Sequence, residues 1–417
     1  MDKKNIIKSL LSNGAIRACS MLIGISLNIL IVRSLGADES GKYYYIVGFV
    51  TALANICSLG LNNWLIRELT KDCEEKDKIN RFLNVVIRVF ISSAFLMLII
   101  YFFIDPVLSL INKSDLKNQL IILLPMIVLL AIYPYFVAIY QSGNKVNTAS
   151  FLQAAAIPLI TIVSLYIMKP DNSEDLSLIF LISVSSICSI LIIKQLYVNR
   201  KKINFSFNKI EEFKSFFSLH LIYNITTLYM LLVNGYFLSN TDFAIYNGAS
   251  RLAVLAGFLL IVFNFVSAPK YSTYYNNQDL DRLESYSQYL TRIMMMVLTP
   301  ILILVIFLSN NIMSIYGSEF DGYGYVLIVL FFGQFVTSVL GSSGYLLTLT
   351  GNEKFLTKWN LYLMPLYFLM AWGFIYFWGL IGAALSTMIA SLISNIVSYV
   401  LVKYRLGFNL ITFRKIG

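Results

Sequence analysis

The chain has 417 residues, a mean hydropathy of +0.73, only 13% charged residues and a formal net charge of +10. A soluble protein of this size cannot bury that much apolar surface, and apolar runs of about twenty residues recur along the whole length, as in polytopic helical membrane proteins. No stretch is left over for a soluble catalytic domain.

The first apolar run, roughly 9–32, follows Lys3, Lys4 and Lys8. It is too long for the core of a signal peptide and no small-residue cleavage site follows it, so it reads as the first spanning helix. Eleven further spans follow at about 43–66, 82–104, 119–140, 148–168, 176–198, 214–238, 243–267, 286–308, 324–349, 357–378 and 380–402. The breaks carry turn chemistry: "LGADESG", "DPVLSLINKSD", "SGNKVN", "KPDNSED", "LSNTD", "YGSEFDGYG" and "TGNEK". The expected organisation is an N-terminal bundle over 1–198, a basic linker over 199–213 ("NRKKINFSFNK") and a C-terminal bundle over 214–417.

The distribution of cations orients these spans. With the N-terminus in the cytoplasm, cytoplasmic segments and their helix edges hold 23 of the 32 Lys and Arg residues and external loops hold 5. Positive residues stay inside, so both termini and the central linker are expected in the cytoplasm. The remaining 4 are arginines within spans: Arg17, Arg88, Arg251 and Arg292. Cys19, Cys57, Cys73 and Cys188 show no C-x-x-C pairing and read as small hydrophobes.

The two halves echo each other. "KSL" at Lys8 recurs as "KSF" at Lys214, "LGADESGKY" at Leu35 as "LSNTDFAIY" at Leu238, Arg88 as Arg292, and "SGNK" at Ser142 as "TGNE" at Thr350. Six helices per half, each half starting on the same side, make a parallel repeat about the membrane normal. Secondary transporters are commonly built this way, with the substrate site near the midplane.

Polar residues fall in stripes. At ~100° per residue, Asn13, Arg17, Ser20, Gly24 and Asn28 share one face of the first span. Gly48, Thr51, Asn55, Ser58 and Asn62 do so in the second, and His220, Tyr223, Asn224, Thr227 and Asn234 in the seventh. In the eighth, Asn247, Arg251 and Val254 share a face. Ser, Thr and Gly often serve only as contacts between membrane helices. A narrow stripe holding Arg or Asn at mid-depth points instead to a wet cavity lined by both halves.

The arginines sharpen this reading. Arg17 and Arg251 lie about nine residues, ~13 Å, from the nearest membrane edge. Arg88 and Arg292 are shallower and within reach of the cytoplasmic edge by snorkelling. All 22 Asp and Glu fall in loops or at helix ends. A mid-membrane arginine costs at least ~2.5–3.5 kcal/mol. With no acid at that depth, a hydrated cavity or an anionic ligand must compensate, and the planar guanidinium fork suits phosphate.

The same pattern excludes other functions. A cation-driven exporter of cationic drugs is expected to carry an intramembrane carboxylate. No G-x-x-x-x-G-K-[ST] motif is present, so ATP hydrolysis by this chain is not expected. The single His220 has no acid to orient it and no metal cluster or nucleophile triad assembles, so no catalytic or metal residue, no cofactor and no enzyme activity are expected. His220 itself reads as a core histidine more readily than as a proton relay or a substrate contact. Tyrosines cluster at span edges (Tyr43–Tyr45, Tyr133 and Tyr135, Tyr271, Tyr274 and Tyr275, Tyr316, Tyr323 and Tyr325) and are expected in interfacial belts. Pro158, Pro300 and Pro365 are candidate kink sites.

The stretch "RSLGADESGKYYYIVGFVTALANICSLGLNNWLIREL", Arg33 to Leu69, resembles the opening of bacterial polysaccharide transporters. The resemblance is nearest to O-antigen flippases of the Wzx type, in the superfamily that also holds lipid II flippases and multidrug MATE exporters. The "SGNK" and "TGNE" turns also fit. It implies an all-α membrane protein of the inner membrane, with twelve transmembrane helices in two six-helix bundles forming a V around a central cationic cavity. It also implies transfer of an undecaprenyl-diphosphate-linked oligosaccharide from the cytoplasmic to the periplasmic leaflet. Lipid II flippases use arginines on the first and eighth helices; the matching positions are Arg17 and Arg251. Their second-helix arginine is absent here and the Asn55 stripe stands in its place.

The expected binding set is therefore Arg17 and Arg251 for the diphosphate, Arg88 and Arg292 to attract it, and Asn28, Asn55, His220, Asn224 and Asn234 for the saccharide. Expected partners are the lipid-linked oligosaccharide and the bilayer, with a polysaccharide polymerase and a chain-length regulator as candidates, and no nucleic acid. The competing readings are a MATE-like small-molecule exporter and a non-transporting membrane scaffold.

Overall fold

A computed structural model describes residues 3–69, 75–143, 145–199, 213–340 and 342–410. Most of the expected linker, 200–212, and Cys73 lie outside the described residues. Every regular element among the described residues is helical, and nine helices there are long and apolar enough to cross a membrane.

Two of the nine are pairs of helices joined at one glycine. The first comprises α1 (3–35) and α2 (37–57), divided at Gly36, whose φ of 78° and ψ of 176° no helix contains. Glycine adopts that backbone without steric cost. The chain then continues through α3 (Asn62–Leu69), α4 (Glu75–Phe102), α5 (Ile104–Leu110), α6 (Lys117–Leu123), α7 (Pro125–Ser142) and α8 (Val146–Phe151). A π turn over Leu152–Ala156 precedes α9 (Ile157–Met168), which opens with Pro158 near its start. Next come α10 (Ser173–Asn199), α11 (Phe213–Phe237), α12 (Asn240–Asn276) and α13 (Leu280–Met313). Asp279 caps α13, its side chain accepting the Arg282 N–H. The last elements are α14 (Gly324–Leu340), α15 (Ser342–Leu349) and a second glycine-divided pair, α16 (353–378) and α17 (380–406), which separate at Gly379 with φ 53°. Pro300 and Pro365 lie inside uninterrupted helices.

The chain divides into two compact units, Met1–Ala244 and Ile245–Gly417. The first includes α11, which follows the expected linker, because α11 packs along α2. In this unit α7 is the innermost helix: Met126, Ile127, Ala131 and Tyr135 are buried. In the second unit α14 packs between α13 and the α16–α17 pair. A separate buried cluster there includes Tyr271, Leu283, Leu346 and Val402.

Two expectations are corrected. The span 43–66 is not one helix. α2 ends at Cys57, Leu59 and Gly60 turn left-handed, and α3 restarts at Asn62. The tyrosines expected in interfacial belts are largely core. Tyr43, Tyr44, Tyr45, Tyr133, Tyr135, Tyr271 and Tyr316 are all buried, while Tyr274, Tyr275 and Tyr323 are half-buried and Tyr325 is exposed. Their rings fill gaps between helices, as where Tyr45 packs edge-on against Phe243, and their hydroxyls can satisfy backbone carbonyls that lipid cannot.

Candidate functional site

α1 presents an open face. A Cβ added at Gly14 or Gly24 would meet nothing within 4 Å. Arg17, seven residues from Gly24 and so on the same face, is half-buried. Its guanidinium makes no hydrogen bond or ion pair among the described residues. In the second unit, Arg251 on α12 is exposed and likewise makes no hydrogen bond or ion pair among the described residues, though its charge acts on the nearby Tyr316 hydroxyl. Arg88 and Arg292 differ. Arg88 donates from Nε to Asn84 Oδ1 at 2.8 Å, one turn back on α4. Arg292 is half-buried and already engaged with its surroundings. The structure thus sorts the four intramembrane arginines into two that are taken and two that are not.

The asparagines sort in the same way. Asn28 is buried, and its Nδ2 donates to the Gly24 carbonyl at 2.6 Å. Asn224 is buried and donates to the His220 carbonyl at 2.7 Å. Asn234 is buried with Oδ1 unbonded among the described residues. Only the Asn55 side chain is exposed.

The break in α2 explains where His220 goes. A helix C-terminus leaves carbonyls without intrahelical donors, and in a membrane each must be satisfied by protein. His220 Nε2 lies 2.6 Å from the Asn55 carbonyl oxygen. A carbonyl only accepts, so Nε2 carries the proton in this contact. Ser58 Oγ donates to the same oxygen at 2.7 Å and lies 3.0 Å from His220 Nε2. Ser92 on α4 donates to the Cys57 carbonyl at 3.1 Å, and the Tyr135 hydroxyl on α7 donates to that of Ser58. Three helices distant in sequence therefore cap one interrupted helix. The sequence signal was "SLGL": a glycine set in an apolar run, with serine beside it.

At the far end of α2, the two turns that the internal repeat matches meet each other. A Cβ on Gly41 would lie 1.9 Å from the Asn240 carbonyl oxygen, so backbone touches backbone. Asn240 accepts from Lys113 Nζ at 2.8 Å and donates to Asp38 Oδ1 at 3.2 Å. Burial pulls the Lys113 ammonium below its ordinary value. Beside this cluster Glu39 accepts the Ser173 N–H at 2.8 Å and its hydroxyl at 2.6 Å, capping α10. Between these ends, Gly235 faces the Tyr45 ring and Gly48 faces Leu231. Small residues let α2 and α11 approach along their length.

The arrangement offers cationic and hydrogen-bonding groups on helices long and apolar enough to cross a membrane, and an interrupted helix. Among the described residues, no three His, Cys, Asp or Glu side chains are grouped to hold a metal. The sequence model of a family described as "polysaccharide biosynthesis protein" matches residues 4–275. The capsular polysaccharide biosynthesis protein CapF of Staphylococcus aureus is 21% identical over 415 residues, covering 95% of this chain and 98% of its own. The lipid II flippase MurJ, in an inward closed conformation, has a similar fold: TM-score 0.77, 17% identity, 94% of this chain and 87% of MurJ. A multidrug resistance MATE transporter of the MOP superfamily, in an inward-facing conformation, gives TM-score 0.73 at 16% identity over 94% of this chain and 98% of its own. At such identities the structural likeness speaks for the fold, while the match over most of the sequence speaks for descent. The chain belongs to the polysaccharide biosynthesis protein family.

Proposed function

We propose that this protein is a flippase that carries an undecaprenyl-diphosphate-linked oligosaccharide across the bacterial inner membrane by alternating access. In this reading twelve helices span the bilayer in two six-helix bundles, both termini are cytoplasmic, and the saccharide head crosses while the polyprenyl tail stays in lipid. The observation that supports it most is the pair of unengaged guanidiniums, Arg17 and Arg251, on membrane helices. Each costs at least ~2.5–3.5 kcal/mol at mid-depth without an anionic partner, and a diphosphate supplies one in bidentate geometry. Export of an anion from a negative interior gains ~2.3 kcal/mol per charge per 100 mV crossed.

The proposed roles follow from engagement. Arg17 and Arg251 are the phosphate-binding side chains. Arg88 and Arg292 contribute positive potential. The exposed Asn55 amide is the strongest candidate for a sugar contact. Asn28, Asn224, Asn234 and His220 shape the helices that present it, because their side chains are buried or committed to backbone.

The test uses a strain lacking this gene. Arg17→Ala and Arg251→Ala are each expected to abolish surface polysaccharide with membrane-inserted protein at wild-type level, and Arg→Lys to restore part of it. Wild-type polysaccharide in both alanine variants would reject the reading. The MATE-like fold keeps small-molecule export as a second reading, and drug resistance restored by the gene without polysaccharide would favour it.

A further inference from the structure

The second unit contains a cavity lined by none of the polar-stripe residues. It lies between α12, α13 and α14 and measures about 210 Å³. Every side chain lining it is apolar, among them Leu255 and Leu259 on α12, Ile301 and Val305 on α13, and Leu327 and Phe331 on α14. Protein interiors rarely leave such volumes unfilled. An apolar cavity of ~150 Å³ already admits benzene, so this one has room for about two five-carbon units.

Its shape and setting select the occupant. On α13 the lining runs from Leu298 to Ile312, four turns or ~21 Å of helix. A volume this small drawn out over that length suits a chain and not a fused ring system. Leu255 and Ile301 are more than a third exposed, so the groove opens to the outside of the unit. Arg251 is one helical turn from Leu255 on the same face of α12. It is exposed and makes no hydrogen bond or ion pair among the described residues. An unengaged guanidinium beside a narrow apolar channel matches one kind of molecule, an amphiphile with an anionic phosphate head and a long hydrocarbon chain.

We infer that the α12–α13–α14 groove holds the isoprenoid chain of the lipid-linked substrate next to its diphosphate on Arg251. This inference rests on the flippase reading and adds to it. Part of the tail is gripped by protein instead of remaining wholly in lipid, so the carrier lipid itself is recognised.

The experiment uses the full-length protein in nanodiscs and an undecaprenyl diphosphate carrying a photoreactive group within its first isoprenoid units. Crosslinks are expected on peptides containing residues 252–259, 298–312 and 327–331. Unlabelled undecaprenyl diphosphate is expected to compete and phosphatidylglycerol, at equal concentration, is not. Ile301→Trp, which fills the groove, should lower labelling at least tenfold, while Leu304→Trp on the same helix, outside the lining, should leave it unchanged. Competed crosslinks confined to other helices would overturn the groove assignment and leave the flippase reading standing. Equal competition by phosphatidylglycerol would reduce the groove to a general lipid crevice and overturn the inference. No competed crosslink anywhere would overturn both.

Discussion

Gly41→Ala is the most direct probe of how α2 and α11 are held together. The added Cβ would sit 1.9 Å from the Asn240 carbonyl oxygen, and an ordinary contact is 3.4 Å or more. The two backbones must therefore separate by about 1.5 Å, which also stretches the Lys113–Asn240 bond at 2.8 Å and the Asn240–Asp38 bond at 3.2 Å. Overpacking of this kind costs ~1–3 kcal/mol and each weakened hydrogen bond ~1 kcal/mol more. A total on the order of 3 kcal/mol shifts the population away from this conformation about 100-fold. The assay is thermal unfolding of purified protein alongside surface polysaccharide in the deletion strain. Gly41→Ala is expected to lower both, and Asn240→Ala is not expected to rescue it, because the obstacle is backbone. Gly235→Ala makes a contrasting case. Its Cβ would meet the Tyr45 ring at 2.0 Å, so Tyr45→Ala should rescue it in the double variant. Gly48→Ala meets only the end of Leu231 at 2.9 Å and Gly24→Ala meets nothing within 4 Å; both should be mild. A silent Gly41→Ala, or its rescue by Asn240→Ala, would refute the argument.

Two further outcomes are expected beside the arginine and groove tests. His220→Leu removes one donor from the Asn55 carbonyl but leaves Ser58 Oγ, a loss of ~1 kcal/mol; amide exchange at Leu59 and Gly60 should rise about fivefold, and His220→Gln should recover most of the protection. Glu39→Gln weakens the cap on α10 by ~1 kcal/mol. Glu39 lies outside the expected spans 9–32 and 43–66. Burial pushes its carboxyl up, but hydrogen bonds from Lys42 and Ser173 outweigh this and hold it below its ordinary value of 4.5. Its contribution is therefore present above about 4.5 and lost as pH falls through the lowered value. The melting temperature of wild type should fall toward that of Glu39→Gln on acidification, and a constant difference between them would contradict this.

What the sequence made legible was set by local physics. Apolar runs between polar turns mark helices because a membrane demands internally bonded backbone, and Gly36 and Gly379 fall at boundaries where the chain reverses. The α2 break was not legible for a non-local reason. Residues 58–61 are apolar enough to continue a span, and at the interruption His220, Ser92 and Tyr135, from three other helices, donate to the freed carbonyls beside the local Ser58. The tyrosines failed in the same way. An aromatic near a span edge suits either an interface or a gap between helices, and only its neighbours decide. The groove is empty space, for which the sequence has no symbol at all.

The arginines show where depth and engagement part company. Depth can be counted along a helix, so Arg17 and Arg251 separate from Arg88 and Arg292 by position alone. Engagement is not set by spacing alone. Asn84 precedes Arg88 by four residues and so faces it on α4, where it accepts the Nε–H. Asn13 and Asn247 precede Arg17 and Arg251 by the same four residues, yet neither arginine makes a hydrogen bond among the described residues, and the Asn247 Oδ1 is left unbonded there. A membrane arginine bonded to a neighbouring amide has a reason to be there without a ligand. Arginines that make no such bond do not, and that difference in engagement, more than the cationic residue itself, is what directs the functional reading to Arg17 and Arg251.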